Sequence, residues 1–166
     1  MWVKEGAILS KLYAGRIIIP QQVYSELLHP GVSHLKTRLD ALIVSGDATI
    51  QPILMDTPAF TKYHKLAYKP DDGYRIIGKG EAAAIALASD SHGTVASNNL
   101  MDVLLYKSEM GFHHMTTGDI LIDALNASLI TESRGNEIWN AMLEKKRKIG
   151  PASFTDYLQS RDNNTI

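Results

Sequence analysis

The chain has 166 residues, 45% of them hydrophobic and 21% charged, which suits one folded domain and excludes the sparse hydrophobicity and high charge of disordered chains. It contains no cysteine, so disulfides, Cys-ligated zinc, iron–sulfur clusters and thiol nucleophiles are ruled out together, and any metal has to be held by oxygen or imidazole. A formal net charge of −1 gives no overall positive field toward nucleic acid.

In chain order, Ile8, Leu9, Leu12 and Tyr13 are spaced for one helical face, with Gly15 placed as a stop. No apolar run nears the roughly 20 residues of a membrane span. Lys4, Glu5 and Lys11 interrupt the region where a signal peptide needs an apolar stretch, so a cytoplasmic protein without membrane partners is expected. Arg16 to Ile19 is a β-branched run closed by Pro20, which suits a buried strand; Pro20 then starts a helix that turns Val23, Tyr24 and Leu27 inward. A helix over 33–44, a Gly46-Asp47 turn and a strand over 48–53 follow. The polar stretch 56–74 predicts a short helix and then a surface loop.

Gly78-Lys79-Gly80 leads into Glu81 to Ala88, a helix of very small side chains that can approach a sheet closely. A strand over 94–97, a helix over 100–110 stopped at Gly111, and a strand over 113–116 come next. Helices over 119–126 and 132–148, the second capped by Thr131, precede a last short helix over 153–159. Strands alternating with helices predict an α/β domain over 1–160, with a largely parallel sheet covered by helices and a disordered tail over 161–166.

Open parallel sheets bind ligands at the carboxyl ends of their strands. Four places have that position: Glu26, Glu81, the pair Asn98-Asn99, and Asp119. Carboxylates converging there would form a hard oxygen site for Mg²⁺ or Mn²⁺, able to activate water for phosphodiester hydrolysis. Each residue also has a plainer role open to it. Glu26 suits an exposed helix face, Glu81 and Asp119 suit first turns where an acid complements the helix dipole, and Asn98 and Asn99 suit a turn and a cap. His113 and His114, adjacent on a strand, point to opposite faces and do not readily share an ion. The basic run 145–148 offers an RNA contact or a solvated helix end, and Trp139, Met142 and Leu143 share one face suited to core or dimer contact.

The segment Ile18-Ile19-Pro20-Gln21-Gln22-Val23-Tyr24-Ser25-Glu26-Leu27-Leu28 resembles the strand, proline and V-x-x-E-L helix of PIN domains. Gly78 to Ala88 is similar to the G-x-G-E-A helix of one PIN branch, and the order of elements follows that branch from Lys4 to Ile130. The resemblance implies a Rossmann-like three-layer α/β/α fold and a nuclease, of toxin–antitoxin or RNA-processing type, that uses four acids and Mg²⁺ or Mn²⁺ to cut RNA or DNA. It also implies an antitoxin partner and a homodimer. Glu26 matches the second acid and Glu81 the third; Asp119 completes the expected metal set, and Asn99 takes the catalytic position of the last acid as a neutral replacement. Two departures stand out. The family's first strand ends in an Asp, and here Met1-Trp2 stands where that strand would already have ended; the family's T-N-D or D-D is here Ser97-Asn98-Asn99, with Asp102 and Asp119 as the acids placed to compensate. Either an upstream segment supplies the first acid, or this is a degenerate PIN-like module that binds RNA or a protein without cutting.

Overall fold

The computed structural model describes residues 6–29, 31, 33–72 and 75–162. In order these form α1 (Gly6–Tyr13), β1 (Ile17–Pro20), α2 (Gln21–Glu26), α3 (Ser33–Val44), β2 (Ala48–Gln51), α4 (Pro58–Ala67) and α5 (Lys79–Ser91). They continue with β3 (Thr94–Ala96), α6 (Leu100–Met110), β4 (His113–Met115), α7 (Thr117–Asn126), α8 (Glu132–Glu144) and α9 (Phe154–Asp162).

The fold is mixed α/β, with two small parallel sheets. In the first, the β-branched run of β1 pairs with β2 in the register Ile17↔Ala48 to Pro20↔Gln51. The two strands run parallel because α2 and α3 carry the chain back between them. In the second, β3 pairs with β4. There the Gly93 carbonyl accepts from the His113 N–H at 2.9 Å and the Met115 carbonyl from the Ser97 N–H at 3.0 Å, so partner numbers rise together along parallel strands. β1 keeps its expected length but shifts by one residue to take in Pro20, and it is not the buried strand expected, since Ile18 is 47% exposed; the other three strands are shorter than the sequence suggests. β2 stops at Gln51 rather than Ile53 because Pro52 brings no N–H to the ladder. β4 stops at Met115 because Thr116 is taken to cap α7.

Some helix ends follow the local chemistry, while α5, α7 and α8 close on left-handed residues other than glycine, at His92 (φ 51°), Ser128 (φ 55°) and Lys146. Gly111 closes α6 at φ 68°, and Thr57 caps α4 by accepting the Phe60 N–H at 3.1 Å. The helix expected to reach Lys148 ends at Glu144 instead. Lys146 turns left-handed at φ 55°, its N–H bonds the Leu143 carbonyl at 2.8 Å, and the Arg147 N–H bonds the Met142 carbonyl at 3.1 Å. That is a Schellman closure built on lysine rather than glycine, so most of the basic run lies beyond the helix. At the other end, α9 runs to Asp162, two residues into the stretch expected to be a disordered tail, of which 163–166 lie outside the described residues.

Contacts group the described residues into two compact units. One unit draws on the spans Tyr13–Val95 and Asn99–His114, and its core packs Leu66, Ile77, Val103, Tyr106 and Phe112 around the small residues of α5. Ala82, Ala83 and Ala86 are fully buried, so α5 approaches α4, α2 and β1 with nothing larger than a methyl group on much of its contact surface. The other unit draws on Met1–Leu12, Ala96–Asn98 and Met115–Ile166. Its core holds Ile8, Leu121, Ile138, Trp139, Met142 and Phe154. Trp139 is fully buried, as its helical spacing suggests, and its indole N–H donates to the Pro151 carbonyl at 2.8 Å.

Gly135 on α8 tests how tightly this second core is closed. A Cβ built there lies 2.3 Å from Cδ1 and 2.6 Å from Cε1 of Phe154, which is itself fully buried against Trp139. Gly135→Ala gains about 1 kcal/mol of helix propensity, yet such overpacking costs about 1–3 kcal/mol. The expected outcome is a lower urea midpoint with an unchanged m-value in equilibrium unfolding.

Candidate functional site

The start of α5 gathers most of the residues singled out from the sequence. Pro20 ends β1 and passes the chain directly into α2, whose last residue is Glu26. Glu26 Oε1 accepts the Gly80 N–H at 3.1 Å, so a carboxylate from α2 satisfies one of the free donors in the first turn of α5 and meets the positive end of its dipole. Gly80 permits this approach. A Cβ there would lie 2.8 Å and 3.0 Å from the two Glu26 oxygens and 3.1 Å from Val23 Cγ2. The proline-helix motif and the G-x-G-E motif therefore meet at one point.

One residue further on, Glu81 Oε1 accepts from Asn99 Nδ2 at 2.7 Å. The same nitrogen donates to Asp102 Oδ2 at 2.7 Å, and Asp102 is also paired with Arg75. Asn99 stands at the N-cap position of α6, but its side chain makes no cap bond there and turns to the two acids instead. Burial raises the Glu81 carboxyl above its ordinary value; the Asn99 hydrogen bond works against that rise, and the charges of Asp102 and Glu26 add to it. Beside this cluster, burial pushes the Tyr63 phenol up to about 12, with the Tyr68 hydrogen bond and the Glu26 charge adding to the rise. Tyr68 is held below its ordinary value by hydrogen bonds to Tyr63 and Lys79, and the Lys79 ammonium lies 5.4 Å from its ring centre.

Asp119 belongs to the other unit, and its carboxylate is fully engaged there. It accepts from the Thr116 N–H at 2.8 Å and hydroxyl at 2.9 Å, from the Tyr157 hydroxyl at 3.0 Å, and it pairs with Arg161. Burial works against its charge, but these donors outweigh burial and hold its carboxyl below the ordinary value. Asn98, in the same unit, clamps Thr117: Oδ1 accepts the Thr117 N–H at 2.9 Å and Nδ2 donates to its hydroxyl at 2.8 Å. The structure thus brings Glu26, Glu81, Asn99 and Asp102 to one place, adds Arg75, and uses Asp119 and Asn98 as supports of α7. Among the described residues no three His, Asp or Glu side chains are placed to hold a metal ion together, His113 and His114 included. Arg75 escaped sequence reasoning because it lies in a stretch without periodicity, as did the Tyr63 and Tyr68 pair.

Two measurements separate these roles. Gly80→Ala should lower the thermal midpoint, and its cost should shrink in a Glu26→Ala background, giving a coupling energy of about 0.5–3 kcal/mol in a double-mutant cycle. Asp119→Asn should also destabilise the protein. Because the folded carboxyl is held low, its stabilisation is present above about pH 4 and is lost as pH falls through the lower folded value. The gap between native and Asp119→Asn thermal midpoints should therefore be full at pH 7 and close toward pH 2.

No family model matches the chain, and no curated protein or solved structure matches it either.

Proposed function

We propose that the chain is a PIN-like domain of Rossmann-like three-layer type that engages RNA at the start of α5 and cleaves it weakly or not at all. What supports a PIN-like reading is the meeting of the two motif acids: Glu26, at the end of α2, is bonded to Gly80, the neighbour of Glu81, and Glu81 is joined through Asn99 to Asp102. The observation that carries the loss of cleavage is the hydrogen-bonded state of the cluster. The Glu81 and Asp102 carboxylates are joined by a neutral amide, and the other motif acid, Glu26, accepts a backbone N–H. The donors as arranged do not fit a two- or three-carboxylate cage for Mg²⁺ or Mn²⁺, so no hydrolytic step is drawn through one.

A second reading, an active Mg²⁺- or Mn²⁺-dependent endoribonuclease of toxin–antitoxin or RNA-processing type, is favoured by one observation. Burial holds the Glu81 carboxyl above its ordinary value, the charges of Asp102 and Glu26 add to the rise, and a dication relieves repulsion of that kind. For partners, Leu100, Met101, Leu104 and Leu105 are all exposed along α6, an apolar face that suits an antitoxin or a second copy of the chain.

The two readings part in one experiment on mixed single-stranded RNA and DNA with millimolar Mn²⁺. The native chain should retain labelled RNA in a filter-binding assay and leave it uncut. Metal-dependent cutting that disappears in Glu81→Gln establishes the second reading instead. Failure to retain RNA at low salt overturns the first.

A further inference from the structure

We infer that the side-chain amide of Asn99 stands where a divalent cation would bridge Glu81 and Asp102, so that the native pocket keeps such a cation out. The inference rests on the reading of this pocket as one of metal-centre type. One atom, Nδ2, lies 2.7 Å from Glu81 Oε1 and 2.7 Å from Asp102 Oδ2. Only an N–H group can sit there, because an amide oxygen would face two carboxylate oxygens with no proton between them. The nitrogen therefore does what a cation does between like charges, supplying partial positive charge to both. Mg²⁺ at the same point would need each oxygen to close in by ~0.6 Å, to the 2.0–2.1 Å that the ion demands. It also could not share the space with the amide hydrogens.

This differs in a measurable way from an Asn that ligates through its carbonyl oxygen. If Asn99 were a weak ligand, removing it would weaken metal binding. If it occupies the ion's place, removing it frees two carboxylates and strengthens binding. Arg75, paired to Asp102 from the opposite end of the cluster, competes with a cation in either case and is the same in every variant compared.

The test uses the whole chain and Mn²⁺ alone, with free ion followed by electron paramagnetic resonance and folding checked by circular dichroism. The native protein should bind in the millimolar range, Asn99→Ala several-fold more tightly, and Asn99→Asp about tenfold more tightly or better, since added ligand charge raises affinity for hard cations. Glu81→Gln in the Asn99→Ala background should return binding to the native level. Equal or weaker binding by Asn99→Ala overturns the inference, and so does tight binding that survives the added Glu81→Gln. Should Asn99→Ala fail to fold, Asn99→Gly serves the same comparison, because Gly is tolerated at an N-cap. Cleavage decides the functional reading separately. A native chain that cuts RNA while binding Mn²⁺ weakly sinks the binding-only reading and leaves the inference standing, whereas an uncut substrate with no gain of affinity in Asn99→Ala does the reverse.

Discussion

The contact between the Glu26 carboxylate and the Gly80 N–H sets the geometry of the unit that carries the candidate site. It exists because Gly80 has no Cβ; a methyl group there would overlap both Glu26 oxygens and Val23. Once α2 and α5 meet this closely, the small side chains of α5 can bury against α4 and β1, and β1 is held at the level of the helix start. The close approach also decides which side chains surround Glu81. It places a second negative group near that carboxyl and leaves the start of α6 to supply a hydrogen-bond donor through Asn99.

Glu81 and Asp119 show how little of this follows from local sequence. Each is the third residue of its helix, each follows a glycine, and each was expected to serve the helix dipole or a metal. The glycines answer the same need, since Gly118 is overlain by the Tyr157 ring as Gly80 is by Glu26. The outcomes diverge at the residue before the helix. Thr116 offers a hydroxyl and an N–H that draw the Asp119 carboxylate back into a capping box, and its carboxyl is held low. Gly78 has no side chain to offer, and Glu81 turns outward to Asn99 with its carboxyl raised. Two acids at the same helix position are thus held in opposite ways, one by donors that stabilise its charge and one by burial and neighbouring charges that oppose it.

Much of the fold was readable because its signals are short-range. The β-branched run before Pro20, the alanine-rich stretch after Gly80, the stop at Gly111 and the face shared by Trp139 and Met142 each depend on neighbours within a turn or two, and each element stands where those signals put it. The failures are of a different kind. The helix expected to reach Lys148 stops early because Lys146 takes a left-handed conformation that its residue type does not announce. Strand ends were overrun where a proline or a cap residue withdraws one hydrogen bond. At the site, the positions of Glu26 and Glu81 were legible from motif spacing, whereas the pairing of Arg75 with Asp102 spans 27 residues and leaves no periodic trace.

The Asn98-Asn99 pair shows why residue type alone could not settle the chemistry. From sequence both are interchangeable amides, suited to a turn, a cap or a neutral ligand. In the structure they divide the work: Asn98 uses both ends of its amide on Thr117, donor to hydroxyl and acceptor to N–H, while Asn99 directs one nitrogen at two carboxylates. An aspartate at 98 could still accept the Thr117 N–H and, with the hydroxyl turned to donate, its O–H as well, so Thr117 alone does not demand an amide there. An aspartate at 99 would bring a third negative charge against Glu81 and Asp102, which the Arg75 guanidinium on Asp102 offsets in part. Asn99 thus sets neutral amide hydrogens between Glu81 and Asp102, while Arg75 holds the other oxygen of Asp102.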